Sequence, residues 1–132
     1  IKPGDFGIEV TETAELNNLS TASLRLSSIK NLGVSIALDD FGAGYSALRY
    51  LKDLPVDVLK LDKSFTFELE ETHNQSLVQI AKLMADSLSM EFICEGLEEE
   101  WQVKRAISLG CEMGQGYYLH KPCSLEDLNN EW

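Results

Sequence analysis

Short β-rich segments alternate with longer helix-patterned ones along the chain, and this alternation restricts the fold more than any other feature. The strand-like segments are residues 7–12 (GIEVTE), 34–39 (VSIALD), 58–62 (VLKLD), 91–95 (EFICE) and 113–119 (MGQGYYL). Two glycines weaken the last of these. Residues 20–32 place Ala22, Leu26 and Ile29 at i, i+4, i+7, with Gly33 where a C-terminal glycine belongs. A short helix is expected near 46–53, ended by Pro55. Asn74 is expected to cap a longer helix carrying Leu77, Ile80, Ala81, Met84 and Leu88. Residues 98–109 read as a helix with Val103, Ala106 and Ile107 on one face, and Ser124-x-x-Asp127 opens a last one. Strands joined through helices are parallel, with right-handed crossovers. The fold class is therefore α/β, with about five β/α units.

Side-chain alternation gives such a sheet two unlike faces. In VSIALD, Val34, Ile36 and Leu38 share one face and Ser35, Ala37 and Asp39 the other. In VLKLD, Leu59 and Leu61 oppose Val58, Lys60 and Asp62. In GIEVTE, Ile8 and Val10 oppose Glu9 and Thr11. One face can pack under helices, while the other carries ionisable groups. Glu9, Asp39, Lys60, Glu95 and Gln115 lie at or near the ends of different strands, as in a (β/α) barrel with a site at its C-terminal rim. At about 26 residues per unit, eight units would need about 210 residues, near the usual barrel length of about 250. The chain then reads as a partial TIM-like barrel without about three units at its front. The pattern leaves open an ordinary open α/β domain whose strand-end charges are solvated.

The 11 Lys and Arg against 22 Asp and Glu give a net charge of −11. A surface that acidic disfavours nucleic-acid polymers and anionic membranes. It also repels a phosphate ester unless bound cations reverse the field locally. No apolar run approaches the roughly 18 residues of a membrane span. Cys94, Cys111 and Cys123 are an odd number without a CxxC pair, which fits a reducing cytoplasm rather than a disulfide framework or a zinc site. Cys94 and Cys111 read as small apolar residues. His73 and His120 are isolated and are not expected to bind metal.

Residues 39–46 (DDFGAGYS) are the most informative segment. Two adjacent carboxylates ending a buried strand are costly unless cations neutralise them, and hard oxygen ligands suit Mg²⁺ or Mn²⁺. Neighbouring strand residues point to opposite sides, so Asp39 and Asp40 can share one centre only if the strand ends there. Gly42 and Gly44 allow that bend. A turn or N-cap aspartate is the plain alternative. Lys60 on the inward face supplies a fixed cation for a phosphate oxygen or a water, or else a structural ion pair. Glu95-Gly96-Leu97-Glu98 adds two carboxylates at a strand end, and Gly114-Gln115-Gly116 an amide between glycines. Glu99 and Glu100 read as a solvated helix start.

Taken together, residues 7–13 (GIEVTET), 34–48 (VSIALDDFGAGYSAL), 59–65 (LKLDKSF), 94–102 (CEGLEEEWQ) and 109–122 (LGCEMGQGYYLHKP) resemble the C-terminal half to two thirds of an EAL domain. The blocks occur in family order and span nearly the whole chain. The resemblance implies a metal-dependent phosphodiesterase that hydrolyses cyclic di-GMP to the linear dinucleotide in bacterial second-messenger signalling. Carried over position by position, it makes Glu9 a metal ligand, Asp39 the aspartate bridging two ions and Asp40 a ligand of the second. Lys60 matches the lysine at the phosphate or catalytic water. Glu95 matches a glutamate on the second metal or beside the attacking water, and Gln115 a glutamine near the water network. Glu12 matches a glutamate anchoring the DDFG loop, and Glu98 a further acidic position.

The Glu-Ala-Leu triplet that names the family does not occur in these residues, nor does its upstream asparagine. The family places both before the strand that begins at Gly7, and both supply ligands. Residues 1–132 are thus expected to be the C-terminal part of the domain, to hydrolyse cyclic di-GMP poorly alone and to pair as a homodimer through exposed sheet edges. Cys94 stands where the family usually has alanine, and Glu99 where it has threonine. A non-catalytic cyclic-di-GMP-binding module is the main alternative. A phosphoacceptor receiver domain fits poorly, because its acidic pair would belong on the first strand.

Overall fold

The computed structural model describes residues 2–11, 19–43 and 51–131. In chain order the elements are β1 (Gly7–Thr11), α1 (Leu19–Lys30), β2 (Ser35–Phe41), β3 (Val58–Leu61), α2 (Ser64–Phe67), α3 (Thr72–Ser87), β4 (Glu91–Cys94), α4 (Glu100–Ser108), β5 (Met113–Gly114) and α5 (Leu125–Glu131). The strands hydrogen-bond in the order β1-β2-β3-β4-β5, and every pair is parallel. A doubly wound sheet reverses its strand order at a switch point, and this sheet has no reversal. A sequential parallel order with crossovers of one hand puts the helices on a single face. Of the two arrangements the sequence leaves open, the structure is therefore consistent with part of a barrel. Among the described residues the sheet is open, with β1 and β5 at its edges. No helix among them is long and apolar enough to cross a membrane.

Strand parity follows the sequence pattern. Ile36, Leu38, Leu59, Leu61, Phe92 and Cys94 are buried and join one core with Leu26 of α1, Val78, Ala81 and Ala85 of α3, and Ala106 of α4. Register aligns Leu38, Leu59 and Phe92 across three strands. On the opposite face Glu9, Ala37, Val58, Lys60, Ile93 and Gln115 line a hollow of about 280 Å³.

The expected helix faces need correction in two places. On α3, Ile80 is exposed and the buried stripe is Val78, Ala81 and Ala85. The small alanines let this helix approach β3 and β4 closely, which rotates its larger neighbours outward. On α4, Ile107 is exposed and Gln102 is buried beside Ala106. Asn74 does not cap α3, which begins at Thr72; its side-chain amide donates to the Glu68 carbonyl at 3.1 Å, holding the preceding turn.

The fifth strand is shorter than the sequence suggests. After Gly114 the chain turns, and the amides of Leu119 and His120 both donate to the Gly116 carbonyl. A Cβ on Gly116 would overlap the Leu97 backbone, so this glycine reflects a close approach rather than a strand position. Gly33 has φ +89° and follows α1 as expected. Ser124 Oγ accepts from the Asp127 amide at 3.1 Å and donates to its carboxylate at 2.6 Å, capping α5. The helix expected near 46–53 lies mostly outside the described residues, as do Glu12 and Gly44.

Candidate functional site

Asp39 and Asp40 reach one side of the sheet through a bulge, not through the end of a strand. β2 continues to Phe41, which pairs with Leu61, while Leu38 pairs with Leu59. Two residues of β2 therefore oppose the single residue Lys60. Asp40 takes φ +54°, a left-handed conformation that Asp tolerates better than most residues. The bulge cancels the alternation that would otherwise send the two carboxylates to opposite faces. Gly42, at φ +94°, then turns the chain; a Cβ there would collide with the Phe65 ring.

One carboxylate oxygen each from Asp39, Asp40 and Glu95 lies within 4.8 Å of the others. Lys60, 3% exposed, stands beneath them. Its Nζ is 2.6 Å from Glu9 Oε1, 3.0 Å from Glu95 Oε1 and 3.4 Å from Asp39 Oδ1. Burial pulls the lysine down, but its hydrogen bonds to Glu9 and Glu95 and the charges of Glu95 and Asp39 outweigh that and hold it above the usual lysine range. Burial raises Asp40, and the like charges of Asp39 and Asp62 add to it. Burial likewise raises Glu95, with Asp39 adding, against the pull of Lys60. Asp62 makes no ion pair with Lys60; its Oδ1 accepts from the Ser64 amide at the start of α2.

A divalent cation fits this donor set. The three donors are hard carboxylate oxygens. Two of the carboxylates, Asp40 and Glu95, hold their protons more tightly than usual, chiefly through burial and then through the like charge of Asp39, despite the pull of Lys60. Asp39 Oδ1 is buried and accepts no hydrogen bond; its 3.4 Å approach to Lys60 is long for one. Buried carboxylate oxygens seldom go without a hydrogen-bond partner, and a cation between Asp39, Asp40 and Glu95 would add to the ion pair that this oxygen makes with Lys60.

The remaining sequence-predicted residues are placed as follows. The Gln115 backbone N–H donates to the Cys94 carbonyl at 2.8 Å and its backbone carbonyl accepts from the Leu97 N–H at 3.1 Å, which continues the pairing just past β5. Glu98, Gln115 and Tyr117 line a hollow of about 260 Å³ together with Asp40 and Glu95. Glu9 borders the adjoining hollow and reaches the cluster through Lys60.

Two further residues shape the site and were not anticipated. Gln102 Oε1 accepts from the amides of Glu98 and Glu99 at 2.7 and 2.9 Å, and its Nε2 donates to the Thr66 carbonyl at 3.1 Å. Thr66 Oγ1 donates to the Glu95 carbonyl at 2.5 Å. The pair clamps both ends of the turn that carries Glu95 and Glu98, with Gly96 at φ +71° inside it. A signal for Gln102 exists in the sequence, since a Gln at the third helical position often reaches back to the cap. Thr66 has none for this role, because the Glu95 carbonyl it holds is distant in the chain, while its other acceptor is the nearby Lys63 carbonyl. Lys63 also lines the hollow, and its packing leaves no room for a Cβ on Gly96.

The model of the EAL domain matches residues 1–122. A bifunctional diguanylate cyclase/cyclic di-GMP phosphodiesterase from Pseudomonas aeruginosa, MucR, is 34% identical over 129 residues, covering 97% of this chain and 19% of its own length. The solved MucR phosphodiesterase in complex with c-di-GMP superposes with a TM-score of 0.89 at 34% identity, covering 97% of this chain and 52% of that one. The EAL domain of Mycobacterium smegmatis DcpA gives 0.93 at 33% identity, covering 99% and 59%. A manganese/c-di-GMP complex of Klebsiella pneumoniae BlrP1 gives 0.87 at 28% identity, covering 93% and 32%. The chain thus spans less than a fifth of the MucR sequence and about half of its solved phosphodiesterase chain.

Proposed function

The chain belongs to the EAL domain family, and on that premise we propose that it forms the C-terminal part of a cytoplasmic cyclic-di-GMP phosphodiesterase domain that uses Mg²⁺ or Mn²⁺. The observation that carries this reading is the convergence of Asp39, Asp40 and Glu95 around an Asp39 oxygen without a hydrogen bond. Solved relatives bound to c-di-GMP, one of them with manganese, support the substrate and the cofactor.

Asp39, Asp40 and Glu95 would hold the divalent cations. Two bound divalent ions supply neutralisation of the phosphate charge and an acidified water. Lys60 keeps Glu9, Glu95 and Asp39 aligned and offers a fixed positive charge to a non-bridging phosphate oxygen. Gln115 borders both hollows, where its amide can orient a water, and Glu98 sets the acidic rim. Glu12 is assigned loop anchoring by family position alone. The products are the linear dinucleotide and no other fragment, because one 3′,5′-phosphodiester is opened. Bound cations would offset the net charge of −11 that otherwise repels an anionic dinucleotide.

These 132 residues contain no Glu-Ala-Leu triplet, so slow turnover by them alone is part of the proposal. The full-length protein with Mn²⁺ is assayed for linear dinucleotide by chromatography, beside Asp39→Asn. Metal-dependent product that the substitution removes supports the reading. Binding without turnover in the full-length protein favours the non-catalytic module. A homodimer along the β1 and β5 edges, where Phe6, Ile8 and Met113 are exposed, is checked by light scattering, and a monomer rejects it.

A further inference from the structure

Cys94 ends β4, and Cys111 lies between α4 and β5. Both are free, and both are buried in the core, at 0% and 7% exposure. Cys94 Sγ donates to Cys111 Sγ across 3.1 Å. Two thiols this close in a packed core need only a small further approach to bond, since a disulfide joins sulfurs at about 2.0 Å. The metal site uses neither of them. The Cys94 carbonyl accepts from the Gln115 amide, and Glu95 is the next residue. A bond here would tie the strand carrying Glu95 to the segment leading into Gln115, on the side of the sheet away from the hollow.

We propose that Cys94 and Cys111 form a reversible intramolecular disulfide in response to hydrogen peroxide, making the pair an oxidative modification site directly behind the strand end that carries Glu95. Cys111 is the first nucleophile. The hydrogen bond from Cys94 holds its thiol below the usual range against its burial, and Lys82 adds to this. The Cys111 sulfur attacks one peroxide oxygen. The O–O bond breaks, an S–O bond forms, and the leaving hydroxide takes the thiol proton as water. The Cys94 sulfur then attacks the Cys111 sulfur. The S–O bond breaks, the S–S bond forms, and the hydroxyl departs with the second proton as another water. The two sulfurs lose two electrons and the peroxide gains them.

Cys123 is exposed and would form links between chains, so the test uses Cys123→Ser. The folded protein is treated with hydrogen peroxide, quenched, denatured and alkylated with iodoacetamide. The expected product lacks two hydrogen atoms, takes up no alkyl groups and yields one peptide joining Cys94 to Cys111. Dithiothreitol restores two alkylatable thiols, and the oxidised form melts at a higher temperature than the reduced one. Full alkylation after peroxide overturns the proposal. So does separate sulfinic acid on either cysteine, or a link that forms only after the chain is unfolded before oxidation.

Discussion

Asp39 and Asp40 are neighbours in sequence, yet both stand opposite the single residue Lys60 in the register between β2 and β3. This bulge puts two carboxylates on one face with Glu95, where burial and the like charge of Asp39 raise Asp40. On the proposed reading, a divalent cation would relieve the repulsion among these carboxylates.

Replacing Asp40 separates the two effects. Asn is nearly isosteric and tolerates the +54° φ of this position. Because Asp40 holds its proton more tightly in the fold than free aspartate does, its ionised form opposes folding. Asp40→Asn is expected to melt at a higher temperature than the parent chain in chelator at neutral pH. It is also expected to lose most of the rise in melting temperature that Mn²⁺ produces. Calorimetric melts with and without Mn²⁺ check both, and a lower melting temperature in chelator contradicts the account.

Lys60 has the opposite sign. Removing one partner of a buried charge cluster costs about 3–5 kcal/mol, so Lys60→Met should unfold at much lower urea in chelator. Mn²⁺ should recover more stability in this variant than in the parent, because it replaces the missing positive charge. The carboxylates around Lys60 hold its pKa above the unfolded value of about 10.4. Its stabilisation is therefore complete below that pH and is lost as pH rises through the folded value. Urea titrations across the alkaline range should show this loss in the parent and not in Lys60→Met.

The clamp of Thr66 and Gln102 predicts a positioning effect. Thr66→Val removes the hydroxyl bound to the Glu95 carbonyl with little change of volume. Supporting groups behind metal ligands typically matter 10–100-fold in affinity, so Mn²⁺ binding should weaken by about tenfold. Thr66→Ser should restore it. Gln102→Ala should speed hydrogen exchange at the Glu98 and Glu99 amides, which lose their acceptor, while β3 amides stay protected.

At the far end of the sheet Asp57 joins three segments. Its Oδ1 accepts from Lys30 Nζ at 2.6 Å and its Oδ2 from the Ile36 amide at 3.0 Å. Burial works against its charge, but these hydrogen bonds outweigh it and hold Asp57 below the usual aspartate range. Its stabilisation is present above the unfolded value of about 3.9 and fades as pH falls through the lower folded value. Asp57→Ala should cost about 1 kcal/mol at neutral pH, mostly from the backbone bond, since the partly exposed ion pair adds little. The difference from the parent should shrink in acid, as denaturation at several pH values would show.

Much of this was legible in the sequence because it is local. Strand parity placed Ile36, Leu38, Leu59 and Leu61 in the core and Lys60 on the site face. Gly33 marked a helix end by its backbone freedom and Ser124 by its side-chain hydroxyl. The bulge was not legible, because it is a mismatch between two strands rather than a property of either. The same holds for Thr66, whose partner Glu95 is distant in the chain, and for Gly116, whose role depends on the approach of Leu97. On α3 the sequence pattern placed Ala81 and Met84 toward the core, but its weight on large apolar residues put Ile80 and Leu88 there in place of Val78 and Ala85.

The central claim is that Asp39, Asp40 and Glu95 bind a divalent cation through which cyclic di-GMP is recognised. Calorimetric titration of cyclic di-GMP into the chain, in chelator and then in Mn²⁺, tests it most directly. The account predicts Mn²⁺ binding that Asp39→Asn abolishes, and cyclic di-GMP binding only after Mn²⁺ is present. Equal binding of cyclic di-GMP in chelator, or no Mn²⁺ binding by the folded parent chain, would contradict it.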